Sequence, residues 1–358
     1  MTTPYSPGRR AVLAAGVGSF ALLAAGCDAR GPLFASAGSA GHVFQGLTMG
    51  SSYTVKIAAP GIAAAALATA QHAVANALAD VVSRMSHYDP DSEVSRLNRQ
   101  PLGVPLDVSA PTRRVFEIAQ AVRAASEGAF EVAVGQAVDE WGFGPSTRAR
   151  HVLPSPAVRE LQRLHVDGAL VLDPAAGTLT RHAPVLANLS GIAKGFGVDQ
   201  AAQALDRLNV GDYMIEVGGE IRTRGRNAEG QSWRLAIERP DAMPQRALHV
   251  LPLSGKSLAT SGDYRNYFMH LGRRYSHEID PRTAEPVHHA LASVSVVADD
   301  CMHADAWSTA LFVLGPERGL MAATRHGLAA YFVVRQEDGT FLERQSPAFA
   351  ALGGHTVA

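Results

Sequence analysis

Tyr213-Met214-Ile215-Glu216-Val217-Gly218-Gly219-Glu220-Ile221-Arg222-Thr223-Arg224-Gly225 reads as two short strands that meet at a pair of glycines. A Gly-Gly break inside a strand marks either a bulge whose backbone hugs a ligand or a tight turn. The local sequence favours the turn, a hairpin with Glu220 paired to an arginine. From residue 213 to residue 297 short strands continue, separated by glycines, by Asn227-Ala228-Glu229-Gly230 and by Arg239-Pro240. Helical patterns are intermixed with these hairpins rather than alternating with single strands. The fold class is therefore α+β, not a doubly wound parallel sheet.

Outward from this core the pattern is consistent. Residues 42–57 read as strand, turn and strand around Thr48-Met49-Gly50-Ser51-Ser52. Residues 63–85 form an Ala-rich helix with long apolar faces, and residues 86–100 a polar loop punctuated by Asp-Pro. A second helix spans residues 111–126, with Val115, Ile118, Ala119 and Val122 on one face. A Gly-bounded segment follows at 128–144, a short helix at 155–164, and a hairpin at 170–186 turning on Ala175-Ala176-Gly177. Residues 192–208 form a helix entered through Ser190-Gly191. Helices at 304–314 and 319–326 precede a closing strand at 329–334.

The chain has 358 residues, 47% of them hydrophobic, with a net charge of −1. That is ample for a large core and gives no electrostatic case for nucleic acid. Its two cysteines, Cys27 and Cys301, make no disulfide framework. Arg9-Arg10 precede an uncharged apolar run at 11–26 that is too short for a good membrane span. The pair resembles a twin-arginine export signal, and Ala24-Ala25-Gly26-Cys27 resembles a lipoprotein box. Residues 1–26 are thus expected to be a signal peptide, 27–41 a flexible tether, and 42–350 a single domain. The mature protein is expected outside the cytoplasmic membrane, either acylated at Cys27 or cleaved without lipid. Gly16-Val17-Gly18-Ser19-Phe20-Ala21 matches a dinucleotide-binding pattern, but it follows no strand and lies inside the signal.

Four polar islands carry chemistry. Tyr275-Ser276-His277-Glu278-Ile279-Asp280-Pro281-Arg282-Thr283 packs an imidazole, two carboxylates, a guanidinium and hydroxyls into one stretch. Read as a strand running into a turn, it sends His277 to one face and Ser276 and Glu278 to the other. Gly191-Ile192-Ala193-Lys194-Gly195-Phe196-Gly197 starts a helix, where glycines admit a ligand and free N–H groups favour an anion. In His303-Ala304-Asp305-Ala306-Trp307-Ser308-Thr309, a carboxylate and a hydroxyl four residues apart share a face and suit a hard cation. The competing reading makes Asp305 a helix cap and Thr309 packing. The fourth island is the Gly218-Gly219-Glu220 turn. His288, His289, Cys301 and His303 fit no standard zinc spacing, and no G-x-S-x-G elbow supports a serine hydrolase.

Together these islands resemble the ApbE family of FAD:protein FMN transferases, long labelled thiamine-biosynthesis lipoproteins. Matching motifs run in family order from Met49-Gly50-Ser51-Ser52-Tyr53, through Met85-Ser86-His87-Tyr88, Gly128-Ala129-Phe130 and Gly191-Ile192-Ala193-Lys194-Gly195. They continue through Val217-Gly218-Gly219-Glu220, Ala259-Thr260-Ser261-Gly262-Asp263, the His277 island and Ala304-Asp305-Ala306 with Thr309. The resemblance implies a fold related to the T-fold, with mixed and antiparallel sheets, packed helices and an FAD cleft between lobes. Tyr88 would pack on the flavin. Met49, Phe130, Lys194, Gly219, Glu220, Thr260 and Ser261 would line the dinucleotide site. Mg²⁺ would sit on Asp305, Thr309 and the Ala193 carbonyl. His277 would be the base, with Asp280 beside it.

The implied reaction moves FMN from FAD to a Thr or Ser hydroxyl of an acceptor flavoprotein and releases AMP. The alternatives are an FAD pyrophosphatase and a flavin-binding module without catalysis. The export signal also resembles the branch serving nitrous-oxide respiration, without selecting it over a general flavinylating enzyme. Four positions depart from the family pattern: Asn188 for an aspartate, Glu131 and Ala133 for Asp and Thr, and Ala284 for glycine.

Overall fold

A computed structural model describes residues 41–357 except 147, 165–166 and 242–244. The signal segment, the tether with Cys27 and the glycine pattern at residue 16 lie outside the described residues. The chain opens with β1 (His42–Thr48) and β2 (Ser51–Ile57), then α1 (Ala64–Met85) and α2 (Glu93–Arg99). Next come β3 (Leu106–Asp107), α3 (Ala110–Ala125), α4 (Gly135–Glu140), α5 (Ser155–Leu164), β4 (Leu170–Asp173) and β5 (Thr178–Arg181). Helix α6 (Ala193–Arg207) leads into β6 (Tyr213–Val217), β7 (Glu220–Arg224), β8 (Trp233–Glu238), β9 (Ala247–Leu253) and β10 (Ser257–Gly262). Four short strands follow: β11 (Tyr267–His270), β12 (Arg273–Ser276), β13 (Ile279–Asp280) and β14 (Glu285–Pro286). The chain ends with β15 (Leu291–Ala298), α7 (Cys301–Arg325), β16 (Ala329–Arg335), β17 (Phe341–Gln345), α8 (Pro347–Ala350) and β18 (His355–Thr356).

One eight-stranded sheet, ordered β1-β2-β6-β7-β10-β15-β16-β17, organises the molecule. All its ladders are antiparallel. Strand alternation divides the cores. Along β6, Tyr213, Ile215 and Val217 join Val74, Leu78, Val198 and Leu205 of the α1 and α6 layer. Met214 instead joins Trp233, Leu235 and Ile237 of β8 on the other face. Along β16, Phe332 and Val334 meet α3 and α7, while Tyr331 and Val333 face β8 and β9. Helices thus cover one face of the sheet and the β8–β9 hairpin the other.

Helix α1 buries Ala70, Val74, Leu78, Val81 and Met85, a stripe of three- and four-residue steps. The two helices expected near the C-terminus are the arms of α7, broken at Gly315, whose φ is 80°, and Pro316. Proline removes a backbone donor and clashes with the preceding turn, so the kink falls there.

Several expectations need correction. The polar loop at 86–100 contains α2, started by Ser92, whose side chain accepts the Ser95 N–H. Its short, largely polar sequence hides a helix that exists because Val94 and Leu97 are buried. The strand at 329–334 does not close the sheet: β17 pairs outside it. Phe341-Leu342-Glu343-Arg344-Gln345 carries little apolar signal because an edge strand has one neighbour only. The Gly218-Gly219 break is the tight hairpin of β6 and β7, with Val217 opposite Glu220, but Glu220 pairs with Lys194 rather than an arginine.

Candidate active site at the crossing of two helices

The site begins where α6 meets α7. Gly195, in the first turn of α6, donates its N–H to Asp305 Oδ2 at 2.9 Å. A methyl at Gly195 would lie 2.3 Å from the Cys301 carbonyl oxygen, so only glycine permits this approach. Two residues on, a methyl at Gly197 would meet the end of the Met49 side chain. Glycine costs a helix interior roughly 0.5–1 kcal/mol, and here the cost is set against helix contact. Asp199, a residue the sequence reading passed over, locks the crossing. Its carboxylate accepts the N–H groups of Cys301 and Met302 at the start of α7 and holds Arg222 at 2.6 Å. The cap of α7 is Asp300, which accepts the His303 N–H. Asp305 therefore lies inside α7, and its carboxylate does not cap its own helix.

Around Asp305 stands a buried polar cluster. Thr309 Oγ1 is 3.3 Å from Ser261 Oγ, which hydrogen-bonds Ser308 Oγ at 2.9 Å. Ser308, unsuspected from sequence, donates in turn to the Asp305 carbonyl. Gly191 lets this group pack closely: a methyl there would lie 2.9 Å from Thr309 Oγ1. Thr260, the neighbour of Ser261 on β10, faces away and hydrogen-bonds Ser295 at 2.7 Å. Strand alternation separates the two hydroxyls that the sequence reading had put together.

Lys194 Nζ is 2.5 Å from Glu220 Oε1. Glu220 is 2% exposed and its second oxygen has no partner among the described residues. Burial pushes the Glu220 carboxyl up to about 8, against the pull of Lys194. Burial likewise raises Asp305 and Glu278. For Lys194, burial works against the ammonium, yet Glu220, Asp305 and Glu278 hold its pKa above the ordinary value. Three buried carboxylates thus surround one ammonium. Burial disfavours their ionised forms, and a divalent hard cation, which takes oxygen ligands, would favour them. Ala193, which opens α6, Asp305 and Thr309 are residues that could hold it. Among the described residues no three His, Cys, Asp or Glu side chains are grouped to bind a metal by themselves. An ion here would draw its remaining ligands from water or from a bound phosphate. Ile192, which precedes α6, has no side chain that can cap it; the Asp305 carboxylate takes the Gly195 N–H of its first turn instead.

His277 lies where β12 has ended. The chain bends at His277, and Glu278 lies outside any strand, so strand alternation no longer applies. The expectation that they face opposite ways fails: His277 Nε2 is 3.6 Å from Glu278 Oε1. Asp280, expected beside His277, is occupied elsewhere. Its carboxylate accepts Arg282 N–H, Nε and Nη2 at 2.7–2.9 Å. A carboxylate two residues before an arginine in a turn closes a local ring more readily than it reaches across a bend.

The remaining predicted residues surround this centre. Gly219, at φ 109°, donates to Glu216 at 2.8 Å and shapes the hairpin tip. Met49, at φ 49°, lines a cleft of about 390 Å³ with Tyr53, Leu78 and Val82. Tyr88 is 63% exposed, its ring against His87, and offers an open aromatic face. Phe130 is buried in the core behind Gly191 rather than exposed on a cleft wall. The departures have local partners. Asn188 accepts the Ser190 N–H, Glu131 pairs with Arg123 and accepts the Ala133 N–H, and Ala284 sits at φ 55° with its carbonyl bound by the Trp141 indole.

Residues 49–332 match the model of the ApbE family. A protein of Haemophilus influenzae named FAD:protein FMN transferase is 41% identical over 313 residues, covering 86% of this chain and 90% of that protein. A Vibrio cholerae protein of the same name is 40% identical over 308 residues, 85% of this chain and 90% of its own length. Among solved structures, the flavin transferase ApbE from Vibrio cholerae superposes with a TM-score of 0.78 at 36% identity, covering 87% of this chain and all of that one. The apo flavinyl transferase ApbE of Pseudomonas stutzeri gives 0.79 at 36% identity, covering 87% of this chain and 96% of its own.

Proposed function

The chain belongs to the ApbE family, and from that premise we propose that it is an FAD:protein FMN transferase. FAD is the donor. A Thr or Ser hydroxyl of an acceptor protein attacks the FMN-side phosphorus, the P–O bond to the adenylate breaks, and AMP leaves. The observation that carries this reading is the crossing of α6 and α7, where Asp305 meets the Gly195 amide beside Lys194 and Thr309. It gathers oxygen donors and an ammonium at one place, the set a pyrophosphate and its counter-ion require.

Asp305, Thr309 and the Ala193 carbonyl would hold Mg²⁺, which would supply charge neutralisation for the pyrophosphate. Lys194, oriented by Glu220, adds a fixed positive charge beside it. His277, half-buried at the rim, takes the proton of the attacking hydroxyl, a task an imidazole suits near neutral pH. Tyr88 offers a stacking face for the flavin, and the Gly219 turn lets the backbone approach the dinucleotide.

The signal-like N-terminus supports work outside the cytoplasmic membrane on periplasmic or membrane redox proteins. Acylation at Cys27 would tether the enzyme there. Intact-mass analysis of candidate acceptors, expressed with and without this protein, tests the function. A gain of one FMN on a Thr- or Ser-containing peptide is the expected result. Release of AMP from FAD at the same rate without acceptor would identify a pyrophosphatase instead.

A further inference from the structure

The hairpin of β11 and β12 stands outside the main sheet, and its second strand ends next to His277. His270 pairs with Arg273, so the turn has two residues, Leu271 and Gly272, at φ 48° and 77°. Positive φ at both is the type I′ geometry, which favours asparagine, aspartate or glycine at the first position. A leucine is disfavoured there, and this one is 93% exposed, so the folded chain gains nothing by burying it. Met269, two residues earlier, is 56% exposed. We propose that this hairpin docks the acceptor protein, with Leu271 and Met269 seating an apolar side chain of it and Arg273 a carboxylate. The inference rests on the reading of the chain as a transferase that acts on a protein.

The two faces of the hairpin differ. Phe268 and Tyr275 lie opposite each other and stack at 5.1 Å, with Trp141 and Phe143 against them. That face anchors the hairpin in a small apolar core. The other face carries Met269, and there Arg274 lies over the Tyr267 ring at 4.2 Å. Met269 pairs with Arg274, which puts it about 10 Å from His277, and Leu271 lies within about 20 Å. A protein that buries about 800 Å² covers a patch roughly 30 Å across. An acceptor hydroxyl brought to His277 therefore carries its own surface over the hairpin.

Charge narrows the partner further. Arg265 pairs with Glu238, while Arg335 and Arg274 share Asp263. Arg150 donates to the Tyr267 carbonyl and the Asn266 side chain, and Arg273 lies over the Tyr275 ring at 5.4 Å. Neither Arg150 nor Arg273 has a carboxylate partner among the described residues. Surplus positive charge beside exposed apolar side chains suits an acidic segment that also presents an apolar group. An anionic lipid surface shares that chemistry, but the place of the hairpin next to His277 favours the protein.

The test uses the full chain with FAD and Mg²⁺. Its probe is the acceptor that gains FMN from the wild-type enzyme in the mass assay. Leu271→Asn removes the apolar group and puts a favoured residue in the turn, so the melting temperature should hold or rise. KM for the acceptor should rise about 5- to 30-fold, the loss of one good interface contact. FAD binding, and kcat at saturating acceptor, should keep their wild-type values. Arg273→Glu should raise the same KM and flatten its dependence on salt. An unchanged KM in Leu271→Asn overturns the docking role, whatever happens to kcat. If, at that unchanged KM, the wild type sediments with anionic phospholipid vesicles and Leu271→Asn does not, the hairpin belongs to a membrane instead. A wild-type enzyme that transfers FMN to no candidate acceptor removes the function on which the inference stands.

Discussion

The Asp305 carboxylate accepts the backbone N–H of Gly195 at 2.9 Å, so one hydrogen bond joins the first turn of α6 to α7 across 110 residues of sequence. The geometry depends on the missing side chain at Gly195, where a methyl would lie 2.8 Å from Asp305 Cβ.

Gly195→Ala should therefore force the two helices apart. Overpacking of this kind costs about 1–3 kcal/mol, and it would displace the carboxylate from the α6 terminus. A lower melting temperature together with a weaker Mg²⁺ response is expected. Wild-type values of both would show that the crossing has slack the coordinates do not suggest.

Removing the Asp305 carboxylate without changing its volume is a cleaner probe of the cation. Asp305→Asn should leave the fold intact, since a buried amide needs no counter-charge. Transfer should collapse or demand much more Mg²⁺. A titration in which the half-saturating Mg²⁺ concentration stays put refutes the ligand role.

His277→Ala should keep FAD binding, because its side chain is partly exposed while Glu220 and Asp305 are buried. Transfer should fall by about 10²–10⁴. FAD fluorescence on titration checks the first statement, and mass analysis of the acceptor the second.

Glu220 makes stability depend on pH in an unusual direction. Its carboxyl titrates near 8 in the folded chain against an ordinary value of 4.5. Between those values the folded state keeps a proton that the unfolded state has released. Stability from this group is then full below about 4.5 and declines as pH rises to about 8. In ligand-free protein, the melting temperature of Glu220→Gln relative to wild type should rise from pH 5 to pH 8. A constant difference across that interval contradicts the buried, unsatisfied carboxylate.

Local sequence was enough for much of this. The hairpin at Gly218-Gly219, the stripe of α1, the Gly-rich entry to α6 and the four-residue step from Asp305 to Thr309 are readable because each depends on neighbours in the chain. The α+β class followed from strands that turn back at once instead of crossing over. Ordered motifs from Met49 to Thr309 carry the resemblance to the family by themselves.

Partners across the fold were not readable in this way. Glu220 meets Lys194, Asp305 meets Gly195, and Ser261 meets Ser308, each pair distant in sequence and brought together only when α6, α7 and β10 pack. Thr260 and Ser261 are adjacent, yet the pleat of β10 sends one hydroxyl to Ser295 and the other to Thr309. Glu278 rather than Asp280 stands beside His277 because the strand stops one residue early and the chain bends. Periodicity along the chain determines which face a side chain takes only while the element lasts. The identity of each partner, and so the charge at the centre of the site, is decided by which helices are allowed to touch.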